Sequence, residues 1–531
     1  MKNPDIPAPL PSPATPPKGT GLNLSTCIRL PLTIPVRPYL RDHHFSGKIM
    51  LPAVEILQHL AGSLQAYRPE TPVRCMRRAS FDRFFEIDGH AAVTDAWHEL
   101  ETHENGRLTS RLMSTITHQG TGLNLSPCST IKRTKVHAVV DFAVSGETGP
   151  PLPLDLAAAL DGMAFGIPAQ TLYRDLVPFG PAFQNVTDTI FLNENGVLCH
   201  VFAAIHPASV EPLGSPFPLD GVLHAACAWG QRFHHRVTFP VGFEQRRIVH
   251  PTVPGNLYHG TILPLSATGD VLRFDIWIFN GEGDLCEEIR GVTMKDVSRG
   301  RVKPPEWVLS KEAPPLANIR EHSRALSIIE LDTLAPFAAR ALSPHEQERF
   351  ERMGEVRRKS YLAGRLALKH LARKLAQGDR ITPASAIHTT MPDGKRPCCP
   401  VPGSDSPVFC SLSHDRRYAI AVADDEAIGV DVEQISARGL KAGRLYMGKE
   451  EMALAAASSL GEMESSMRVW SIKEGIAKMM DRPLAASWAT VRVQAIGLLE
   501  SRLIVDGVPY RAFHDTVAGH LFTLVKKGKE E

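Results

Sequence analysis

Between Ser298 and Pro315 the chain reads SRGRVKPPEWVLSKEAPP, with two Pro-Pro pairs and four cations. Proline donates no N–H and fixes its own φ, so neither a helix nor a central strand runs through such a stretch. It reads as a linker, with separate folding units on either side. The length of 531 residues points the same way, since one ordinary domain uses about 150. A second shift in composition lies at the start, where MKNPDIPAPLPSPATPPKGTG is proline-rich and lacks the apolar core of a signal peptide. It is expected to be a disordered leader. A smaller break, SGETGPPLPLD (Ser145 to Asp155), halves the region between. The expected organisation is a leader at 1–23, a first unit at 24–297, a linker at 298–324 and a last unit at 325–531. The heptapeptide GTGLNLS occurs at Gly19 and again at Gly120; it is too short to establish a domain repeat.

Composition narrows the class of function. The 59 basic and 57 acidic residues nearly cancel, which gives no general electrostatic case for nucleic-acid or anionic-membrane binding. Nine cysteines occur without a CxxC pair or regular spacing, as expected of reduced thiols in a cytoplasmic protein. No apolar run reaches the ~18 residues that span a bilayer.

Each half of the first unit combines alternating apolar runs, expected to be strands, with one helix. In the first half the helix is PAVEILQHLAGSLQAY, with Val54, Leu57, Leu60 or Ala61, and Leu64 on one stripe and Pro52 at its first turn. Just ahead stands RDHHFSGKIMLP, where His43, Gly47 and Pro52 form HxxxGxxxxP. Gly47 would let backbone approach a ligand closely, and the helix N-terminus beyond could polarise a carbonyl. In the second half SPFPLDGVLHAACAWG carries Asp220 and His224, four apart and so on one helix face. A base from one half and an acid from the other is what elimination of a β-hydroxyl from a thioester needs. A single histidine before a glycine is more often structural, and that remains the reading of His44.

These motifs, with FGPAF at Phe179 to Phe183, resemble the polyketide synthase dehydratases, in the same order and over Leu24 to Val297. The resemblance implies a double hotdog fold with His43 as base and Asp220 as acid. It also implies Gly47 at the thioester-carbonyl site and His224 supporting Asp220. One departure is Phe179, where that family usually has tyrosine. The alternative is a carrier-docking or template domain without catalysis.

Beyond the linker, SPHEQERFERMGEVRRKSYLAGRLALKHLARKL is expected to be a helix, AIAVAD and IGVDVE strands, and SMRVWSIKEGIAKMM a second helix. Asp431 and Glu433 alternate on a strand and face one side, and Glu474 on the helix would add a third carboxylate. Oxygen ligands in a hydrated site suit Mg²⁺. Lys478, one turn after Glu474, could meet a phosphate, as could His414, next to Ser413. Singly these are ordinary features: DxE is often a solvated face and Glu–Lys an exposed pair.

The ordered set resembles the surfactin-type 4′-phosphopantetheinyl transferases: basic helix, DGKRP, SxSH, GxDxE and WxxKExxxK, from about Ala325 onward. The resemblance implies a pseudo-dimeric α/β fold that moves phosphopantetheine from coenzyme A to a carrier serine. Asp431, Glu433 and Glu474 then hold Mg²⁺, and His414 and Lys478 neutralise the pyrophosphate. Arg358, Arg365, Lys369, Lys395 and Arg396 are candidates for coenzyme A phosphates, with Ser413 and Lys473 in the same binding set. Glu451 matches a proposed base, with Glu474 or a metal-bound water as alternatives. The fold class expected is therefore α+β, a double hotdog followed by the transferase. Its partner is an acyl carrier protein, taken to lie on another polypeptide because the chain has no convincing DSL-type carrier site.

Overall fold

The computed structural model describes residues 26–104, 106–119, 130–142, 156–206, 212–310, 315–376, 382–390, 397–399 and 408–528. The leader, both GTGLNLS copies and the Ser145–Asp155 break lie outside them, except that the first copy's neighbour Thr26 opens a strand.

The first half contributes strands β1 (Thr26–Pro35), β4 (Cys75–Ser80), β5 (Val93–Thr102), β6 (Leu108–Gln119) and β7 (Thr130–Phe142), plus a two-strand hairpin, β2 (His44–Phe45) and β3 (Lys48–Ile49). The second half contributes β8 (Phe165–Pro168), β9 (Val186–Asn193), β10 (Gly196–Phe202), β11 (Phe239–Ile248), β12 (Leu257–Thr268), β13 (Val271–Asn280) and β14 (Leu285–Lys295). All but the hairpin join one twelve-stranded sheet, ordered β1-β5-β6-β7-β4-β11-β14-β13-β12-β10-β9-β8. The halves meet where β11 pairs antiparallel with β4, Phe243 opposite Ala79.

Each half wraps one long helix. Helix α1 (Ala53–Tyr67) buries Val54, Leu57, Leu60, Ala61 and Leu64, the stripe read from sequence, and Ile56 as well. Gln58, also buried, donates to the Gly214 carbonyl and accepts from Leu213 N–H, which ties the helix to the second half. After a single turn, α2 (Ala169–Thr171), the second long helix is α3 (Phe217–His234). Every residue of α3 from Phe217 to Gln231 is buried, Asp220 and His224 included, because the sheet encloses the helix. Large antiparallel sheet around two central helices is the architecture that a double hotdog requires.

The last unit has two parts of similar plan. Strands β15 (Ala325–Glu330), β16 (Phe409–His414) and β17 (Tyr418–Asp424) form a sheet ordered β15-β17-β16. Strands β18 (Ile428–Gln434), β19 (Val491–Ala495), β20 (Glu500–Val505), β21 (Val508–Val517) and β22 (His520–Lys527) form a second, ordered β18-β22-β21-β20-β19. The helices are α4 (Ala317–Glu321), α5 (Pro344–Glu351), α6 (Glu355–Leu375), α7 (Ala437–Tyr446), α8 (Lys449–Ala457), α9 (Glu462–Met480) and α10 (Leu484–Thr490). α6 packs on β15 and β17, and α9 packs on β18 and β22.

Two expectations need correction. The segment from Ser343 to Leu375 is two helices, not one. Ser343 and Glu346 make a capping box that starts α5, and Gly354 is the N-cap of α6. The stretch at 298–324 is also more than a tether. Val308 is buried, its carbonyl accepts from Arg232, and Ser310 N–H donates to the Arg232 carbonyl. Farther on, Ile319 is buried and its N–H donates to Asp515. The stretch carries a 3-10 turn at Glu306–Val308 and helix α4, so its prolines prevent neither short helices nor packing.

Candidate functional site

His43 ends a short 3-10 turn, Pro38–Asp42, and its backbone N–H is held by the Leu40 carbonyl. Its Nδ1 lies 2.8 Å from the Met50 carbonyl oxygen. A carbonyl only accepts, so Nδ1 carries the proton and Nε2 keeps a free lone pair. The turn between β2 and β3 brings Met50 back to this point. Ser46 and Gly47 both have positive φ (52° and 77°), the conformation of a two-residue type I′ hairpin. Gly47 is exposed at that turn, and Ser46 reaches the cavity wall described below.

Asp220 sits in the first turn of α3, buried at 6% exposure. His224 follows one turn later, its Nε2 3.1 Å from Asp220 Oδ2 without hydrogen-bond alignment. His224 Nδ1 lies 3.3 Å from the hydroxyl of Tyr173, which also accepts from Val186 N–H at 2.8 Å. The hydroxyl can donate to Nδ1, a pairing in which the imidazole N–H sits on Nε2 beside Asp220. Burial pushes the Tyr173 phenol well above its ordinary pKa, so it remains a donor.

The rings of His43 and Phe179 stack at 4.5 Å, and Phe179 also lies 5.1 Å from His224. The FGPAF loop is clamped there by Asp42, the residue before His43. Gly180 N–H donates to the Asp42 carbonyl at 2.9 Å, and Ala182 N–H to its Oδ2 at 2.8 Å. A β-carbon on Gly180 would fall 2.4 Å from the Asp42 carboxyl carbon, so only glycine admits this approach. Asp42 and Tyr173 were not found from sequence, where neither stands in a spaced motif.

His43, Asp220, His224 and Phe179 line one cavity of about 400 Å³, walled by Leu51, Ile56 and Leu223 among others. Desolvation holds the His43 pKa below its ordinary value, while the Asp220 charge and the Met50 bond act the other way. A neutral imidazole with a free Nε2 can take a proton near neutral pH. The expected His/Asp set is therefore brought together across the two halves, with His44 exposed beside it.

In the last unit the close approach of two glycines sets the geometry. A β-carbon on Gly429 would lie 2.0 Å from the Gly475 carbonyl oxygen, so α9 rests directly on β18. That seats Glu474 and Lys478 beside Asp431 and Glu433. Lys478 Nζ lies 2.7 Å from Asp431 Oδ1, 2.8 Å from Ser413 Oγ and 4.0 Å from Glu474 Oε2. Trp470 Nε1 donates to Glu433 at 3.0 Å. Burial first, then the Asp431 charge, pushes Glu433 up to about 7, and the same two causes raise Glu474. Asp431 Oδ2 is buried without a hydrogen-bond partner. An orphaned carboxylate oxygen among mutually repelling carboxylates fits a hard cation. Among the described residues, however, no three His, Cys, Asp or Glu side chains stand close enough to enclose one, and Lys478 and Trp470 bond two of the carboxylates.

His414 lies at the end of β16, and loss of hydration and then the Lys478 ammonium hold its pKa down, with Arg365 adding to the effect. Arg365 donates to the Thr389 carbonyl and hydroxyl at 3.2 and 3.0 Å. The other expected cations are placed differently. Lys369 is fully buried, bonded to the Ala384 and Ile387 carbonyls and paired with Glu346 at 2.9 Å. Arg358 donates to the Phe350 and Glu351 carbonyls at the end of α5. Lys473 is 1% exposed and pairs with Glu451 at 2.8 Å. Glu451 also accepts from Gly448 and Val493 N–H groups, so both its oxygens hold structure together. Lys395 and Arg396 lie outside the described residues.

No curated protein matches the chain. Among solved structures, the dehydratase domain of a trans-AT polyketide synthase from Brevibacillus brevis aligns at 17% identity and a TM-score of 0.39, covering 52% of this chain and 96% of that one. The dehydratase domain of the CurJ module of the curacin polyketide synthase aligns at 17% and 0.39, covering 51% and 92%. A monomeric dehydratase domain from a trans-AT polyketide synthase split module aligns at 14% and 0.40, covering 51% and 100%. Residues 151–304 match the family model of the polyketide synthase dehydratase N-terminal domain, and the segment that supplies Phe179, Asp220 and His224 is thus similar to that family.

Proposed function

We propose that the protein serves polyketide or fatty-acid assembly, dehydrating 3-hydroxyacyl thioesters in its first unit and transferring 4′-phosphopantetheine in its last. The dehydratase reading is carried by one observation: His43 and Asp220, from different halves, face a single apolar cavity, with the His43 proton fixed on Nδ1. In the reaction, Nε2 of His43 takes the proton alpha to the thioester carbonyl. In the acid step the Asp220 carboxyl gives a proton to the departing β-hydroxyl, so the C–O bond breaks, the double bond forms and water leaves. Proton exchange then returns both groups to their starting states. The unbonded N–H groups of the first turn of α1 favour negative charge developing on the carbonyl. Phe179 favours the second reading, a carrier-docking or template domain, because it presents no hydroxyl to the leaving group.

For the transferase, the support is the ordered motif set together with the grouping of Asp431, Glu474, Lys478, His414 and Arg365. Asp431, Glu433 and Glu474 would hold Mg²⁺, which when bound supplies charge neutralisation to the coenzyme A pyrophosphate. Lys478 adds positive charge on the same side, and the neutral His414 ring would offer a hydrogen bond there. Intact mass spectrometry tests both readings at once. An apo carrier is mixed with the protein, Mg²⁺ and a 3-hydroxyacyl coenzyme A. Gain of the acyl-pantetheine arm reports transfer, and subsequent loss of one water, abolished in His43→Ala, reports dehydration. Attachment without water loss across several chain lengths favours the docking reading. No attachment to any of several carriers removes the transferase.

A further inference from the structure

Lys369, expected from sequence to meet a coenzyme A phosphate, is instead one end of a buried chain of hydrogen bonds that runs to Arg365, one turn earlier on α6. Lys369 Nζ lies 2.9 Å from Glu346 Oε2 and donates to the Ala384 and Ile387 carbonyls at 2.7 and 3.1 Å. Glu346 Oε2 also accepts from Ser343 N–H at 2.9 Å, and Oε1 accepts from the hydroxyl of Thr389. A hydroxyl has one proton to give, so Thr389 Oγ1 presents a lone pair to Arg365. Arg365 Nη1 donates to that oxygen at 3.0 Å and to the Thr389 carbonyl at 3.2 Å. Lys369, Glu346 and Thr389 are 0%, 1% and 1% exposed. Helix α5, helix α6 and the segment at Thr389 thus meet at one guanidinium.

The charges along this chain are not evenly matched. Lys369 balances the Glu346 carboxylate, whereas Arg365 is held by a hydroxyl and a carbonyl rather than by an acid. Arg365 makes no ion pair among the described residues, and its Nε is buried without a hydrogen-bond partner. Burial pushes its pKa down, as expected of a cation drawn out of water with no carboxylate in contact. A β-carbon on Gly364 would fall 3.9 Å from His414 Cδ2, so this turn of α6 lies against the end of β16. His414, Lys478 and Asp431 are grouped at that end. A guanidinium fixed in direction and left with its charge suits a phosphate, because an arginine free to rotate loses side-chain entropy on binding.

We propose that Thr389 and Glu346 are positioning residues for the phosphopantetheine donor, aiming Arg365 at one of its phosphates without neutralising the guanidinium. This rests on the transferase reading. In the relay, Lys369 balances Glu346, Glu346 fixes the Thr389 hydroxyl, and the hydroxyl and carbonyl of Thr389 set the direction of Arg365. Thr389 and Glu346 act through Arg365 and do not touch the donor. The group recognised is a phosphate, supplied either by the ribose 3′-phosphate of coenzyme A or by its pyrophosphate.

The test uses the full chain with Mg²⁺ and an apo carrier. It measures kcat and KM for transfer from coenzyme A and from 3′-dephospho-coenzyme A, and Kd for each donor by calorimetry. Thr389→Val keeps the shape and removes the hydroxyl, Thr389→Ser keeps the hydroxyl, and Arg365→Gln removes the cation. Thr389→Val is expected to raise KM and Kd for coenzyme A about tenfold, with kcat within about twofold of the wild type. Thr389→Ser is expected to restore both constants. Adding Thr389→Val to Arg365→Gln is expected to cost nothing further, because the hydroxyl acts only through the guanidinium. A rise confined to coenzyme A identifies the 3′-phosphate, and an equal rise for the dephospho donor identifies the pyrophosphate. Thr389→Val with unchanged KM and Kd, or with a loss that multiplies that of Arg365→Gln, would overturn the relay. So would a fall in kcat and urea midpoint at unchanged KM, the pattern of a purely structural hydroxyl. A wild type that binds neither donor removes the transferase reading and the relay together. Binding without transfer removes the transferase reading alone, and the Kd pattern then decides the relay.

Discussion

Which nitrogen of His43 carries the proton is decided by a residue seven positions away, and that choice has a measurable consequence. The Met50 carbonyl fixes the tautomer, and desolvation keeps the ring neutral at lower pH than an exposed histidine, whose pKa is about 6.5. A base works only when unprotonated, so the acid limb of kcat/KM for water loss should rise with pH through the His43 pKa. We expect that limb below pH 6.5, measured between pH 4.5 and 8 with a substrate lacking a phosphate. A limb centred at or above 6.5 would mean that His43 is solvated or is not the base. At this scale the sequence was partly legible. HxxxGxxxxP and DxxxH picked out His43 and Asp220, which the fold brings to one cavity, because their spacing follows helix and hairpin geometry. Asp42 and Tyr173 were not legible, because each acts on a loop or a strand more than ten residues away, and such contacts leave no local period.

The same limit holds for elements. The two long helices of the first unit and the strands AIAVAD and IGVDVE were legible from periodicity, but the inward turn of Lys473 on α9 was not. In WSIKEGIAK, Glu474 and Lys478 face the carboxylate site, while Lys473 turns inward to join Glu451, α8 and the Val493 N–H of β19. Successive helical residues are about 100° apart, so adjacent charges serve different surroundings. Breaking a buried ion pair by removing one partner leaves the other charge uncompensated and costs about 3–5 kcal/mol. Lys473→Met should therefore lower the urea midpoint strongly. Glu451→Gln should do the same, because the pair holds α8 to α9. If Glu451 is instead the base that deprotonates the carrier serine, Glu451→Gln would keep its stability and lose transfer rate. Denaturation and transfer assays on this one variant separate the two roles.

At the scale of the whole molecule, β13 is buried on both faces, and its alternation shows by what. Leu272, Phe274, Ile276 and Ile278 pack inward with α3, whereas Trp277 and Phe279 on the opposite face join a core made with Ala363, Leu366 and Ala367 of α6. The contact is reinforced by Asp161, which meets Lys374 at 2.6 Å and Ser327 at 2.7 Å, and by Arg340 with Asp284 at 2.9 Å. The continuous apolar run IWIF within β13 is the sequence trace of a strand covered on both sides, although the linker read at 298–324 suggested separate folding units. The two units should therefore unfold together. Trp277 is fully buried, and Trp277→Ala should cost about 3–5 kcal/mol, much of it taken from this shared core. Calorimetry is expected to show one cooperative transition for the native chain and two for the variant, the part containing α6 melting first. Two separate transitions in the native chain, with the α6-containing one unmoved by Trp277→Ala, would show that the shared core carries no coupling and that the units merely touch.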